Sequence, residues 1–98
     1  MIYLVMDVIK LNDQLSFGIE QEDKHLRLVI LEGGAELVCR KTNGTELVKF
    51  IRAENGHIFK GRLQLDNSGG YISVVVKGMQ AGVVEANQIA AFLNLNQI

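Results

Sequence analysis

Short apolar runs, most of them closed by a glycine or asparagine corner and none containing proline, constrain this chain more than any motif in it. Glycine occurs ten times and proline not at all, so the corners are built from residues that accept a left-handed backbone. Runs this short with period-two alternation suit half-buried strands. "LSFGIE" places Leu15, Phe17 and Ile19 on one face, and "HLRLVIL" does the same with Leu26, Leu28 and Ile30, with "QEDK" a polar turn between them.

The glycine pair in "EGGAE" supplies the next turn, and "LVCRK" reads as a fourth strand with Leu37 and Cys39 on its inner face. Asn43-Gly44 predicts a type I′ hairpin into a fifth strand, "ELVKFIR", because both residues accept positive φ. Asn55-Gly56 leads into "HIFKGRLQL", where Phe59, Gly61, Leu63 and Leu65 share one face and Lys60, Arg62 and Gln64 the other. Gly61 in the middle marks a bulge or bend. "YISVVVK" reads as the seventh strand and "KGMQAGVVE" as a turn into a short eighth. From Glu85 the period changes: Ala86, Ile89, Ala90 and Leu93, with Phe92 beside them, predict an amphipathic helix over 86–95. The letters contain no internal repeat and no linker. The expected fold is mainly β: a small antiparallel barrel or sandwich of about seven or eight short strands with one C-terminal helix, a single β-rich domain over 1–98.

A chain of 98 residues that is 48% hydrophobic carries more apolar surface than a core of this size hides, which predicts a homo-oligomer, a dimer before other states. The expected contact elements are the N-terminal strand around Ile2, Leu4 and Val5, and the helix at Ile89, Phe92 and Leu93. Ten Lys and Arg against eleven Asp and Glu disfavour nucleic acid, although Arg52, Lys60 and Arg62 could form a local basic face. The opening "MIYLVMDVIKLND" is interrupted by Asp7 and Lys10 far short of the ~20 residues of a membrane span, so no membrane segment is expected. One cysteine and no visible signal peptide point to a cytoplasmic protein.

Chemistry-bearing residues are few. Cys39 among aliphatic neighbours reads as an inert core thiol. His25 and His57 each begin a strand in a spacing that matches no zinc pattern, so no metal is expected. Glu20, Glu22, Asp23, Glu32 and Glu36 cluster around turns, where carboxylates are solvated. No nucleophile elbow or phosphate loop is present; no catalytic residue, enzymatic activity or cofactor is expected, and catalysis would need His57 and a carboxylate to converge in one pocket.

Asp66-Asn67-Ser68-Gly69-Gly70 has the composition of a four- or five-residue hairpin loop, yet such a loop can also offer backbone N–H groups to an anion. Arg62 and Lys77 on the flanking strands would add charge, which makes Arg62, Asp66, Ser68, Gly69, Gly70 and Lys77 the candidate ligand residues. "GRLQLDNSGGYISVVV", residues 61–76, resembles the segment of PilZ domains in which a strand ends in Asp/Asn-x-Ser-x-x-Gly. The resemblance implies a small antiparallel barrel that binds cyclic di-GMP. Here the spacing is Asp66-x-Ser68-x-Gly70, one residue shorter, and the family's upstream arginine pair is missing, so the binding function does not carry over with it. Two functions follow from these residues: a non-enzymatic module that self-associates and binds another protein, or a barrel that holds a small, nucleotide- or phosphate-like molecule near the 66–70 turn.

Overall fold

Alternating apolar residues and tight glycine turns produce two antiparallel meanders, each followed at once by a helix. The structure, a computed structural model, describes residues 7–22 and 24–93. Strands β1 (Asp7–Lys10), β2 (Leu15–Glu22), β3 (His25–Glu32) and β4 (Ala35–Thr42) form the first sheet, and helix α1 (Gly44–Arg52) leads away from it. Strands β5 (Asn55–Ile58), β6 (Leu63–Ser68), β7 (Tyr71–Val76) and β8 (Met79–Glu85) form the second, followed by α2 (Ala86–Phe92). The chain is mainly β with two separate four-stranded sheets that do not close into one barrel. Their inner faces meet in a single core: Phe17, Leu28 and Ile30 from the first, Leu65, Ile72 and Val74 from the second, with Leu47 of α1 and Ile89 of α2.

Two sequence expectations change here. "ELVKFIR" is helix α1, not a strand, and the described residues hold two helices where one was expected. Asn43 is extended and its side-chain oxygen accepts the Glu46 N–H at 2.8 Å, while the buried Thr42 hydroxyl donates to the Glu46 carboxylate at 2.7 Å. Asn-Gly therefore serves as a helix start, not a hairpin turn, because the side chain satisfies one of the orphaned amides of the first turn. Leu47, Phe50 and Ile51 recur at helical spacing and are buried, and Lys49 and Arg52 in the last turn complement the helix dipole. "HIFKGRLQL" is likewise not one strand: β5 stops at Ile58, and Gly61 belongs to the turn before β6.

The ββββα order occurs twice, and the two copies agree in detail that the letters conceal. The last hairpin of the first sheet turns at Gly33-Gly34 (φ 60° and 86°) and that of the second at Lys77-Gly78 (φ 54° and 85°), the left-handed pair of a type I′ turn. Each hairpin then carries an extra residue at the same distance from its turn, Leu37 in β4 and Ala81 in β8. Counted from these turns, Arg27 matches Tyr71, Cys39 matches Val83, and Val38 matches Gly82.

The copies also interlock. The β1–β2 loop lies on β8, where Asn12 Nδ2 donates to the Ala81 carbonyl at 2.8 Å. The β5–β6 loop lies on β4, where Arg40 donates to the Lys60 carbonyl at 3.0 Å and stacks over Phe59 at 5.0 Å. Gly82 makes the first contact possible, since a Cβ there would sit 2.8 Å from the Leu11 carbonyl oxygen. Both β4 and β8 run from their tight turns toward a helix, so α1 and α2 lie at one end of the sheets and the hairpin tips at the other.

Candidate functional site

The Asp66–Gly70 stretch is a structural bracket. The turn itself is only Gly69-Gly70, since Asp66, Asn67 and Ser68 belong to β6. Asn67, 2% exposed, donates from Nδ2 to the carbonyls of Phe50 at 3.0 Å and Ala53 at 2.8 Å, closing the C-terminal end of α1. Its oxygen accepts the Gly70 N–H at 2.9 Å, and the Gly69 N–H donates to the Glu54 carbonyl at 2.7 Å. Both glycine amides are thus committed, and no anion-accepting concavity remains at this turn. The shallow cleft beside it is bordered by Glu85, whose carboxylate repels anions further.

The expected charges are elsewhere. Arg62 and Lys77 are neighbours, with the Lys77 N–H donating to the Arg62 carbonyl at 2.7 Å, but they sit at the opposite end of the β6–β7 hairpin from Gly69-Gly70. Six residues of strand separate the two ends, roughly 20 Å at 3.3 Å per residue. The candidate ligand set therefore divides into Asp66, Ser68, Gly69 and Gly70 at the helix end and Arg62 with Lys77 at the hairpin-tip end.

At that second end the sheets leave a cleft of about 320 Å³, walled equally by both copies. Val76, Leu15, Leu37 and Ala81 give it an apolar surface, with Glu32 and Lys77 at its margin. Leu37 and Ala81 are the bulge residues, whose side chains a regular ladder would have aimed differently. Lys77 keeps a left-handed backbone at a position where the first copy has Gly33, a conformation that costs a non-glycine residue about 1 kcal/mol.

The outer sheet faces differ in character. On the first, Arg27 pairs with Glu20 at 2.5 Å and Glu36 at 2.7 Å, reaching across Val29, which is buried although it lies on the outer side. Hydrogen bonding from Arg27, and to a lesser extent from the Cys39 thiol, holds the Glu36 carboxyl below its ordinary range. Cys39 is exposed, not a core residue: the bulge at Leu37 shifts the alternation by one and puts Val38 inside instead. On the second sheet, Tyr71 is 61% and Val83 48% exposed, with Ser73 and Val75 between and beside them. His57 and Asp66 approach to 3.6 Å on this same face, so the histidine and a carboxylate do meet, but on an open surface.

Of the expected contact residues, Ile2, Leu4 and Val5 lie outside the described residues. Ile89 is fully buried in the core, and Phe92 and Leu93 are partly buried against it, so the helix stripe packs on the core of its own chain. The sequence reading missed Tyr71 and Val83, although "YISVVV" and "GVVE" carry apolar residues at successive positions, which puts some on both faces. Among the described residues no group of three or more His, Cys, Asp or Glu side chains is placed to hold a metal, and no helix is long and apolar enough to cross a membrane. No family model, curated protein or solved structure matches this chain.

Proposed function

We propose that this chain is a non-enzymatic interaction module that self-associates and binds another protein through the outer face of β7 and β8. The observation that carries the reading is the exposure of Tyr71 and Val83 at positions where the first sheet has Arg27 and Cys39 within an ion-paired network. Tyr71 and Val83 beside Ser73 leave more apolar surface open on this face than Val8, 46% exposed, leaves on the outer face of the first sheet, and such a surface has something to cover. The contact uses the face and not the strand edge, because Asn12 already occupies the middle of the β8 edge. Each large side chain gains about 1.5–3 kcal/mol on full burial, and a twofold contact buries each twice, a gain of the same order as the ~4–15 kcal/mol cost of association. Tyr71 and Val83 alone would hold only a weak dimer, so Val75 and the polar residues around it complete the contact. A single exposed cysteine suits a reducing cytoplasm, and the two sheets then act as layers of a sandwich with one adhesive side.

Light scattering over a micromolar concentration series tests the reading. The wild type is expected to dimerise at tens of micromolar and Val83→Lys to remain monomeric; a wild type that stays monomeric throughout removes self-association.

A further inference from the structure

The cleft at the hairpin tips has a character that the sheet-face contact does not explain. Its walls are mostly apolar, from Leu15, Leu37, Val76 and Ala81, with Asn12, Gln14 and Gln80 also lining it, and two opposite charges stand at it, Glu32 from the first copy and Lys77 from the second. Neither forms an ion pair with the other or with any described residue. Two unpaired opposite charges beside one apolar surface match a ligand that carries both charges and an apolar group of its own.

We propose that this cleft binds a zwitterion with an aliphatic side chain, a free amino acid or a short peptide of such residues. Lys77 takes the carboxylate, Glu32 takes the ammonium group, and the aliphatic chain lies on Leu37, Val76 and Ala81. A fatty carboxylate would satisfy Lys77 but set an anion against Glu32, a simple amine would do the reverse, and a neutral apolar molecule would use neither charge. The volume of about 320 Å³ falls at the small end of ligand pockets, adequate for one or two residues. The backbone at Lys77 agrees with this use: its counterpart Gly33 makes the same turn without strain, so the lysine serves the cleft and not the hairpin.

Charge deletion in ligand and protein together tests the assignment, using NMR titration of the full chain with leucine, dileucine, 4-methylpentanoate and 3-methylbutylamine. Leucine or dileucine is expected to shift the resonances of Leu37 and Ala81 at millimolar concentration, and the stronger of the two identifies free amino acid or peptide. The carboxylate-only and amine-only analogues should each bind about tenfold more weakly. Lys77→Gln should weaken the zwitterion about tenfold while leaving the amine unchanged, and Glu32→Gln should show the mirror pattern. Lys77→Gly, which relieves the turn instead of straining it, separates lost binding from lost folding. Analogues that bind as tightly as the zwitterions, zwitterion affinity indifferent to both substitutions, or no shift with any compound up to about 50 mM would overturn the proposal.

Discussion

Residues 7–52 and 55–92 build the same ββββα unit, down to the placement of the turn and bulge in the last hairpin, yet they divide the work unequally. The first copy covers the middle of its outer face with Arg27, Glu20 and Glu36 and leaves only Val8 of β1 exposed there among its large apolar side chains, while the second leaves both Tyr71 and Val83 in water. The first begins its helix with an asparagine cap, and the second supplies Asn67 to finish that same helix. Where the first has Val38, the second has Gly82 and receives a loop in the space. Similar backbones with different side chains show that these three differences are not requirements of the strand order, and each can be altered separately.

The largest effect is expected at Asn67. Asn67→Ala removes three hydrogen bonds at once, leaving the Ala53 carbonyl and the Gly70 N–H without this partner and the Phe50 carbonyl with only the Ala53 N–H at 3.3 Å, one of the three bonds being buried and two partly buried. A loss of about 3 kcal/mol in urea denaturation is expected. Ile19, the matching inner-face residue of β2, contributes packing alone, so Ile19→Val should cost about 1 kcal/mol. Comparable losses at the two sites would mean that the bracket on α1 contributes little.

Gly82→Val makes the second copy resemble the first and should be next. Its side chain would meet the Leu11 carbonyl and Cβ, which are backbone or close to it and cannot swing away. A cost of about 2 kcal/mol, together with loss of the Asn12 contact to Ala81 seen as faster amide exchange in residues 11–14, is the expected result. An unchanged urea midpoint would show that the β1–β2 loop is not held against β8 in solution.

The smallest effect concerns the ion-paired face. Glu36 has its folded-state carboxyl pKa lowered, so the stability it contributes is present above its ordinary value of 4.5 and is lost as the pH falls through the lower folded value. Its side chain is 45% exposed, which limits the contribution to well under 1 kcal/mol after screening. Thermal melts of wild type and Glu36→Gln should differ by about 2 °C at pH 7 and converge as the pH falls below 4.5 and through the lowered folded value. A gap that persists in acid would place the effect of the substitution outside the Arg27 pair.

Much of the strand content was legible because alternation is a local property. β2, β3 and β4, and β7 and β8, lie where "LSFGIE", "HLRLVIL", "LVCRK", "YISVVVK" and "KGMQAGVVE" placed them, and the glycine pairs at 33–34 and 69–70 mark their turns. The site was much less legible. Arg62 and Lys77 are adjacent as neighbours of one hairpin, but grouping them with Gly69 and Gly70 ignored the length of the strands between. Cys39 changed faces because one bulge residue inverts every parity beyond it, and a bulge leaves no mark in the composition of "ELVCRK".

By itself, the order of apolar and turn residues determined that this chain makes short antiparallel strands with an amphipathic helix at its end, since both patterns are written within a few neighbouring residues. Only the tertiary structure decided that Asn43-Gly44 starts a helix, that the ββββα unit is built twice, and that Glu32 and Lys77 stand at one cleft. Those outcomes depend on which distant surface each segment buries against, a competition among packings that no single stretch of sequence contains.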